Sequence, residues 1–385
     1  MMEYIKLNEL CEINIGKTPS RNKEQYWGEG VKWLSIADLK SKYISDTKEQ
    51  ITEEAIAECN MKIVPKNTVV MSFKLSIGKT AILAKDMCTN EAIANFPIKK
   101  EQILLSEYLY YALRTLNFDN TDRAVMGATL NKAKLNELII PYCNMDRQKK
   151  IVELLNKAQE LVDKKKAQIK SLDELVKSQF IELFGNLKNE EKLHLEGCTA
   201  FIDYRGNTPV LSESESGIRI INAKSVGNGF FKYIDEYISE DTYNSWMKRG
   251  FPVAGDVLFV TEGHTFGNVC RIPSDLKKFA MGQRVITMQG KNGLLNNVFL
   301  AQYMQSMSFK IDIDKYKTGS SAQGIRSKEL QKILIPIPPI ELQKQFADFV
   351  KQVDKLKFEM QKSLEEMENN FNSLMQRAFK GELFN

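Results

Sequence analysis

Histidine is almost missing: the 385 residues contain two, His194 and His264. Two cannot build a multi-histidine metal site, and neither stands in a His-Glu-x-x-His frame. The six cysteines (Cys11, Cys59, Cys88, Cys143, Cys198, Cys270) include no close pair. That argues against a thiolate zinc site and against a disulfide framework, and points to a reducing compartment. No apolar run approaches the roughly 20 residues of a membrane span. The first residues carry Glu3, Glu9 and Glu12, where a signal peptide would have basic and then apolar residues. The expectation is a cytoplasmic, untargeted protein that touches no membrane. Phosphate loops are also wanting. Gly16-Lys-Thr18 and Gly78-Lys-Thr80 imitate the end of one, but Cys11 and Phe73 occupy the place of the earlier glycine. Pro336-Ile-Pro-Pro339 lacks the acidic or amide residue that precedes the prolines of an amino-methyltransferase site, and reads as a rigid stop before a helix. No strong charge of one sign is present either. The formal +5 arises from 54 basic against 49 acidic residues, so a nucleic-acid footprint must come from local clustering.

What is present is an internal echo. Shifting the numbering by 195 brings Pro141 onto Pro336, Gln148 onto Gln343, Leu155 onto Val350, Ile169 onto Leu364 and Phe184 onto Phe379. Two copies, each much longer than a solenoid repeat, make a tandem duplication of a domain followed by a helix. Strand-like runs at Val31–Ile36 and Thr68–Phe73 have counterparts at Ile218–Asn222 and Gly255–Val260. Helical spacing follows at Leu105–Leu116 and Val298–Met307, and each half closes with a strand, Glu137–Pro141 or Ile333–Pro336. The expected class is α+β, with similar mixed α/β domains over 1–145 and 187–339 and long helices over 146–186 and 340–385.

Along the helices, Leu155, Val162, Ile169, Val176 and Leu183 recur every seven residues beside Ile151, Ala158, Lys165, Leu172 and Gln179. The second copy has Val350, Lys357, Leu364, Phe371 and Ala378 beside Phe346, Val353, Met360, Met367 and Leu374. A seven-residue apolar repeat makes a left-handed coiled coil. Roughly 35 residues, on the order of 50 Å, is too long to lie over one such domain. An antiparallel intramolecular pair is expected, giving a pseudo-two-fold molecule whose domains are spaced as the half-sites of duplex DNA are.

Candidate DNA contacts lie in loops that mix small polar hydrogen-bonders with single basic residues. In the first half they are Lys17, Thr18, Ser20, Arg21, Lys74, Lys79, Arg123, Thr129, Asn131 and Lys132. The second half offers Arg205, Asn207, Thr208, His264, Thr265, Asn268, Gln283, Arg284, Lys317, Ser320, Ser321, Gln323 and Arg326. Arg and Lys suit guanine, Asn and Gln suit adenine, and Ser or Thr position phosphates. The same residue types also make ordinary surface turns. Lys149-Lys150 and Lys164-Lys-Lys166 read first as a solvated helix face.

These features together resemble the specificity subunits of type I restriction-modification systems, the HsdS family. The resemblance covers essentially the whole chain. Each domain is entered through a Gly-x-Thr-Pro loop, Gly16-Lys-Thr-Pro19 or Gly206-Asn-Thr-Pro209. Each ends, over Leu135–Lys149 and Leu330–Lys344, in an Ile-Pro strand and a helix opening with Gln-Lys. Pro338-Pro-Ile-Glu-Leu-Gln343 is close to the family's Pro-Pro-x-x-Glu-Gln, with Leu342 in place of Glu, whereas Cys143 and Asn144 replace the prolines in the first copy. The resemblance implies a non-catalytic subunit with no cofactor of its own. Each domain would be a target-recognition domain reading one half of a bipartite, asymmetric site in double-stranded DNA. The helices would set the spacing and dock two methyltransferase subunits, which hold S-adenosylmethionine and methylate adenine N6. A separate restriction subunit would use ATP and Mg to translocate and cleave, and its presence is left open. Leu154, Leu161, Leu175, Phe180, Phe349, Leu356 and Phe358 would face the partners' helices, or else widen the intramolecular seam. The alternatives are the specificity module of a stand-alone methylation system, an enzyme in its own right, and a protein-binding adaptor.

Overall fold

The computed structural model describes residues 2–74, 76–116, 118, 130–206, 208–212, 217–319 and 323–384. The first half runs β1 (Glu3–Lys6), α1 (Leu7–Leu10), β2 (Asn14–Ile15), β3 (Trp27–Leu34), β4 (Tyr43–Ile44), β5 (Glu49–Ile51), α2 (Glu53–Glu58), β6 (Val69–Ser72), β7 (Thr80–Leu83), β8 (Cys88–Thr89), β9 (Ile93–Phe96), α3 (Ser106–Arg114), α4 (Lys132–Asn136), β10 (Ile139–Tyr142) and α5 (Met145–Phe184). The second runs β11 (Lys192–His194), α6 (Leu195–Cys198), β12 (Thr199–Asp203), β13 (Ile218–Ile221), β14 (Tyr237–Ile238), α7 (Glu240–Trp246), β15 (Val257–Val260), β16 (Val269–Arg271), β17 (Ala280–Met281), β18 (Val285–Gly290), α8 (Asn297–Tyr303), α9 (Met307–Asp314), α10 (Ser327–Gln331), β19 (Leu334–Pro336) and α11 (Ile340–Phe379). Helices α5 and α11 are each 40 residues long and begin and end at the same 195-residue offset. The chain forms two compact units, Met1–Lys166 with Lys362–Asn385, and Ala167–Gln361.

The units share a plan. The first has a sheet of order β2-β9-β6-β7-β4 and a second of order β5-β3-β8; the other has β12-β18-β15-β16 and β14-β13-β17. In each, the small sheet contains one parallel pair, β3 with β8 or β13 with β17. The central strands β6 (VVMS) and β15 (VLFV) are wholly buried, which is why they carry near-continuous apolar runs without alternation, broken only by the buried Ser72. Caps repeat as well: Thr52 accepts from the Ala55 amide to start α2, and Ser239 accepts from the Thr242 amide to start α7. One expected element divides. The single helix expected over Val298–Met307 ends at Tyr303, and α9 restarts under a hydrogen bond from the Phe309 amide to the Ser306 hydroxyl.

A buried glutamine ties each long helix to its domain. Gln148 Oε1 accepts from the Leu105 amide while its Nε2 donates to the Ile103 and Cys143 carbonyls. Gln343 does the same with the Asn296 amide and the Leu294 and Pro338 carbonyls. Where the first copy lacks prolines, Asn144 caps α5 by accepting from the Arg147 amide at 3.0 Å, so another residue type starts the helix.

Within each unit the two helices run antiparallel. In the first, Arg147 near the start of α5 donates to the Gly381 and Leu383 carbonyls just past the end of α11, and Lys166 pairs with Glu368 at 2.7 Å. Phe371 and Phe379 pack on Tyr111 and Tyr108. In the second, Phe346 packs on Phe180 and Phe184, and Lys357 pairs with Asp173 at 2.5 Å. Along the heptad rows Ile151, Leu155, Val162, Ile169, Phe346, Val350, Val353, Leu364, Phe371 and Ala378 are buried and the remaining positions half-buried, while Val152, Phe180 and Met375 are buried off the rows.

Candidate nucleic-acid interface

In both units the loops singled out in the sequence meet at one end of the larger sheet, joined by matching backbone hydrogen bonds. In the first, the Phe73 amide donates to the Ala92 carbonyl at 3.0 Å and the Leu130 amide to the Phe73 carbonyl at 3.2 Å. The second has Thr261 to Arg284 at 3.0 Å and Ile325 to Thr261 at 2.9 Å. The β6–β7 hairpin, which carries Lys74 and Lys79, therefore lies against the turn before β9 and the residues leading into α4. The β15–β16 hairpin, with Glu262, His264, Thr265 and Asn268, lies likewise against Gln283-Arg284 and the stretch ending at Arg326.

The Gly-Lys-Thr triplets serve this architecture. A Cβ on Gly16 would stand 2.1 Å from the Thr89 carbonyl oxygen, so only glycine lets the first loop pass, and the Lys17 amide bonds that carbonyl at 2.9 Å. Gly78 has φ +87° in the β6–β7 hairpin. Neither leads into a helix, as a phosphate loop must.

Acidic residues sit beside the cationic candidates. Arg21 stacks on Trp27, 3.7 Å from the ring centroid, and forks onto Glu49 at 2.5 and 3.0 Å. Thr18 donates to Glu91. Arg205 grips Asp203 through Nε and Nη2, at 2.9 and 2.7 Å. Burial pushes the Asp203 carboxyl up, but the hydrogen bonds from Arg205, with a further one from Ser327, outweigh it and hold the group below its ordinary range. Arg284 pairs with Glu262 at 3.1 Å and Lys317 with Asp314 at 3.0 Å. Asp203 and Asp314 stand two and three residues from their partners, but Glu49, Glu91 and Glu262 meet theirs through strand register and hairpin geometry, which no local spacing announces.

Other candidates are spent locally. Asn131 caps α4 by accepting from the Lys134 amide, Asn268 donates to the Val226 carbonyl, and Lys17 Nζ reaches the Cys59 and Asn60 carbonyls at 3.3 Å. Ser20, Lys79, Lys132, Thr208, His264, Gln323 and Arg326 are exposed, while Lys74, Thr265 and Gln283 are half-buried. Arg123, Thr129, Asn207, Ser320 and Ser321 lie outside the described residues. Burial pushes the Cys11 and Cys270 thiols up to about 12, far from a reactive thiolate.

On the helices, Leu161, Leu175, Leu356 and Phe358 are exposed, and Leu154 and Phe349 are half-buried. Phe180 does not face outward: it is 7% exposed, packed among Phe184, Phe299 and Phe346, so of the two expectations for it the wider intramolecular seam holds.

Duplicated mixed α/β domains, each with a loop platform at one sheet end and its own 40-residue helix, define a tandem-domain class. A family model described as the type I restriction modification DNA specificity domain matches residues 1–172 and 204–369, and the chain belongs to that family. It is 34% identical over 197 residues to the MjaIX specificity subunit of Methanocaldococcus jannaschii, an alignment covering 48% of this chain and 45% of that one; the chain thus spans about half that relative's length. With the MjaVIII specificity subunit of the same organism it is 23% identical over 412 residues, covering 99% and 92%. In fold it resembles a solved chain from work on complex assembly and conformational transition of the type I R-M system. That match has a TM-score of 0.60 and 14% identity, and covers 99% of this chain and 98% of the other.

Proposed function

We propose that this chain is the DNA sequence-specificity subunit of a type I restriction-modification complex. Each domain reads one half of a bipartite, asymmetric site in double-stranded DNA through its loop platform. The observation that carries this reading is that both platforms use the same backbone bonds but different side chains. Lys74, Glu91 and Ala92 occupy, in the first, the positions of Glu262, Gln283 and Arg284 in the second. One scaffold with two sets of side chains suits two unlike half-sites. Helices α5 and α11 set the spacing, and their exposed Leu161, Leu175, Leu356 and Phe358 dock two methyltransferase subunits. Those subunits hold S-adenosylmethionine and perform adenine N6 methylation; ATP and Mg belong to a restriction subunit where one is present. This chain itself is non-catalytic and works in the cytoplasm.

The test is a domain exchange. Replacing residues 1–145 by the matching domain of a relative, followed by genome-wide mapping of methylated adenines, is expected to alter one half of the methylated sequence. A change in both halves, or methylation that does not depend on this chain, overturns the reading.

A further inference from the structure

We propose that Arg284 and Glu262 together form a guanine reader in the second domain: the Arg284 guanidinium meets the base edge, and Glu262 holds it in position. This rests on the DNA-reading function above and names one base that the second platform recognises.

Arg284 has φ +67°, in the left-handed region that residues other than glycine avoid, and the surroundings hold it there. Its carbonyl accepts from both the Thr261 amide, at 3.0 Å, and the Thr261 hydroxyl, at 3.2 Å. Two residues earlier the Gly282 amide is bound to the Ile221 carbonyl at 2.7 Å. The fold does not need arginine here. The first domain makes the same bond, Phe73 amide to Ala92 carbonyl, with a buried alanine that lies outside the left-handed region. A strained conformation and a long charged side chain, at a position where alanine serves the scaffold, therefore point outward to a ligand.

The chemistry of that ligand follows from Glu262. Its Oε1 lies 3.1 Å from Arg284 Nε, and both side chains are more than half exposed. A carboxylate so close repels a phosphate oxygen but tolerates a neutral base edge. The pair engages Nε, which leaves end-on recognition of guanine O6 and N7 to the two terminal nitrogens, the commonest specific contact in the major groove. Gln283 and the exposed Gln323 and Arg326 border the same spot on backbone that Thr261 and Gly263 pin.

Arg284→Gly and Glu262→Gln test the proposal in the full chain assembled with its methylation subunits. The site is first mapped with the unaltered chain, and methylation rates are then measured on duplexes varied one base at a time. Glycine accepts φ +67° freely, so Arg284→Gly is expected to keep or raise the melting temperature while losing the preference for guanine at one position of one half-site. That preference should fall by roughly 5- to 150-fold, with the other half-site unchanged. Glu262→Gln is expected to weaken the preference at the same position. If Arg284→Gly leaves every preference intact, or Glu262→Gln acts at a different position, the proposal is overturned while the two-domain reading stands. If the unaltered chain has no bearing on which adenines are methylated, the underlying function fails instead.

Discussion

Asp203 and Arg205 show how the loop after β12 is stiffened by its own side chains. The Arg205 amide and guanidinium both bond the Asp203 carboxylate, whose side chain retains 30% of its exposure. Because the folded-state pKa lies below the ordinary 3.8, the stabilisation is present above that value and is lost as pH falls through the folded pKa. Asp203→Asn should therefore cost about 1 kcal/mol at pH 7, discounted for partial solvent screening. The gap between wild type and variant should close as the pH is taken below 3.8. Hydrogen exchange of the β15 amides across that range checks it, and a gap that widens in acid contradicts the assignment. Arg205 was legible as a basic loop residue two positions from Asp203. Arg21 with Glu49 and Arg284 with Glu262 were not, since those partners meet only through chain reversal.

At the scale of elements, each long helix is coupled to its domain by one fully buried amide side chain. Gln148 and Gln343 each satisfy one backbone N–H and two carbonyls, and both are 0% exposed. Gln148→Leu or Gln343→Leu would orphan those groups, at roughly 1–3 kcal/mol for a buried group left unpaired. Each substitution is expected to lower the stability of its own unit by about 2 kcal/mol or more in denaturant unfolding, and a loss under about 0.5 kcal/mol would mean that the anchor is dispensable. The helices themselves were plain in the heptad rows, because a seven-residue period lies in consecutive sequence. For Phe180 the spacing leaves a partner-facing position and a wider seam open, and only the packing against Phe346 on α11 and Phe299 on α8 selects the buried one.

At the scale of the whole molecule, the proposed ruler makes a prediction that neither domain makes alone. Inserting seven residues after Ile169 and after Leu364 preserves the heptad phase and lengthens each helix by about 10 Å. At about 3.4 Å per base pair, the gap between half-sites should grow by up to about three base pairs. Methylation mapping reads the gap directly, and a gap unchanged at undiminished rate removes the ruler.

Sequence by itself determined the duplication, the two helices with their buried rows, and the apolar central strands. Each of these is written in local periodicity or in a fixed offset between copies. Tertiary structure alone decided which loops share a platform, which carboxylate faces which cation, and that Arg284 is held left-handed where its counterpart is an ordinary alanine. Those outcomes depend on register between strands far apart in the chain and on hydrogen bonds closed only when the sheet forms, and residue order does not record them.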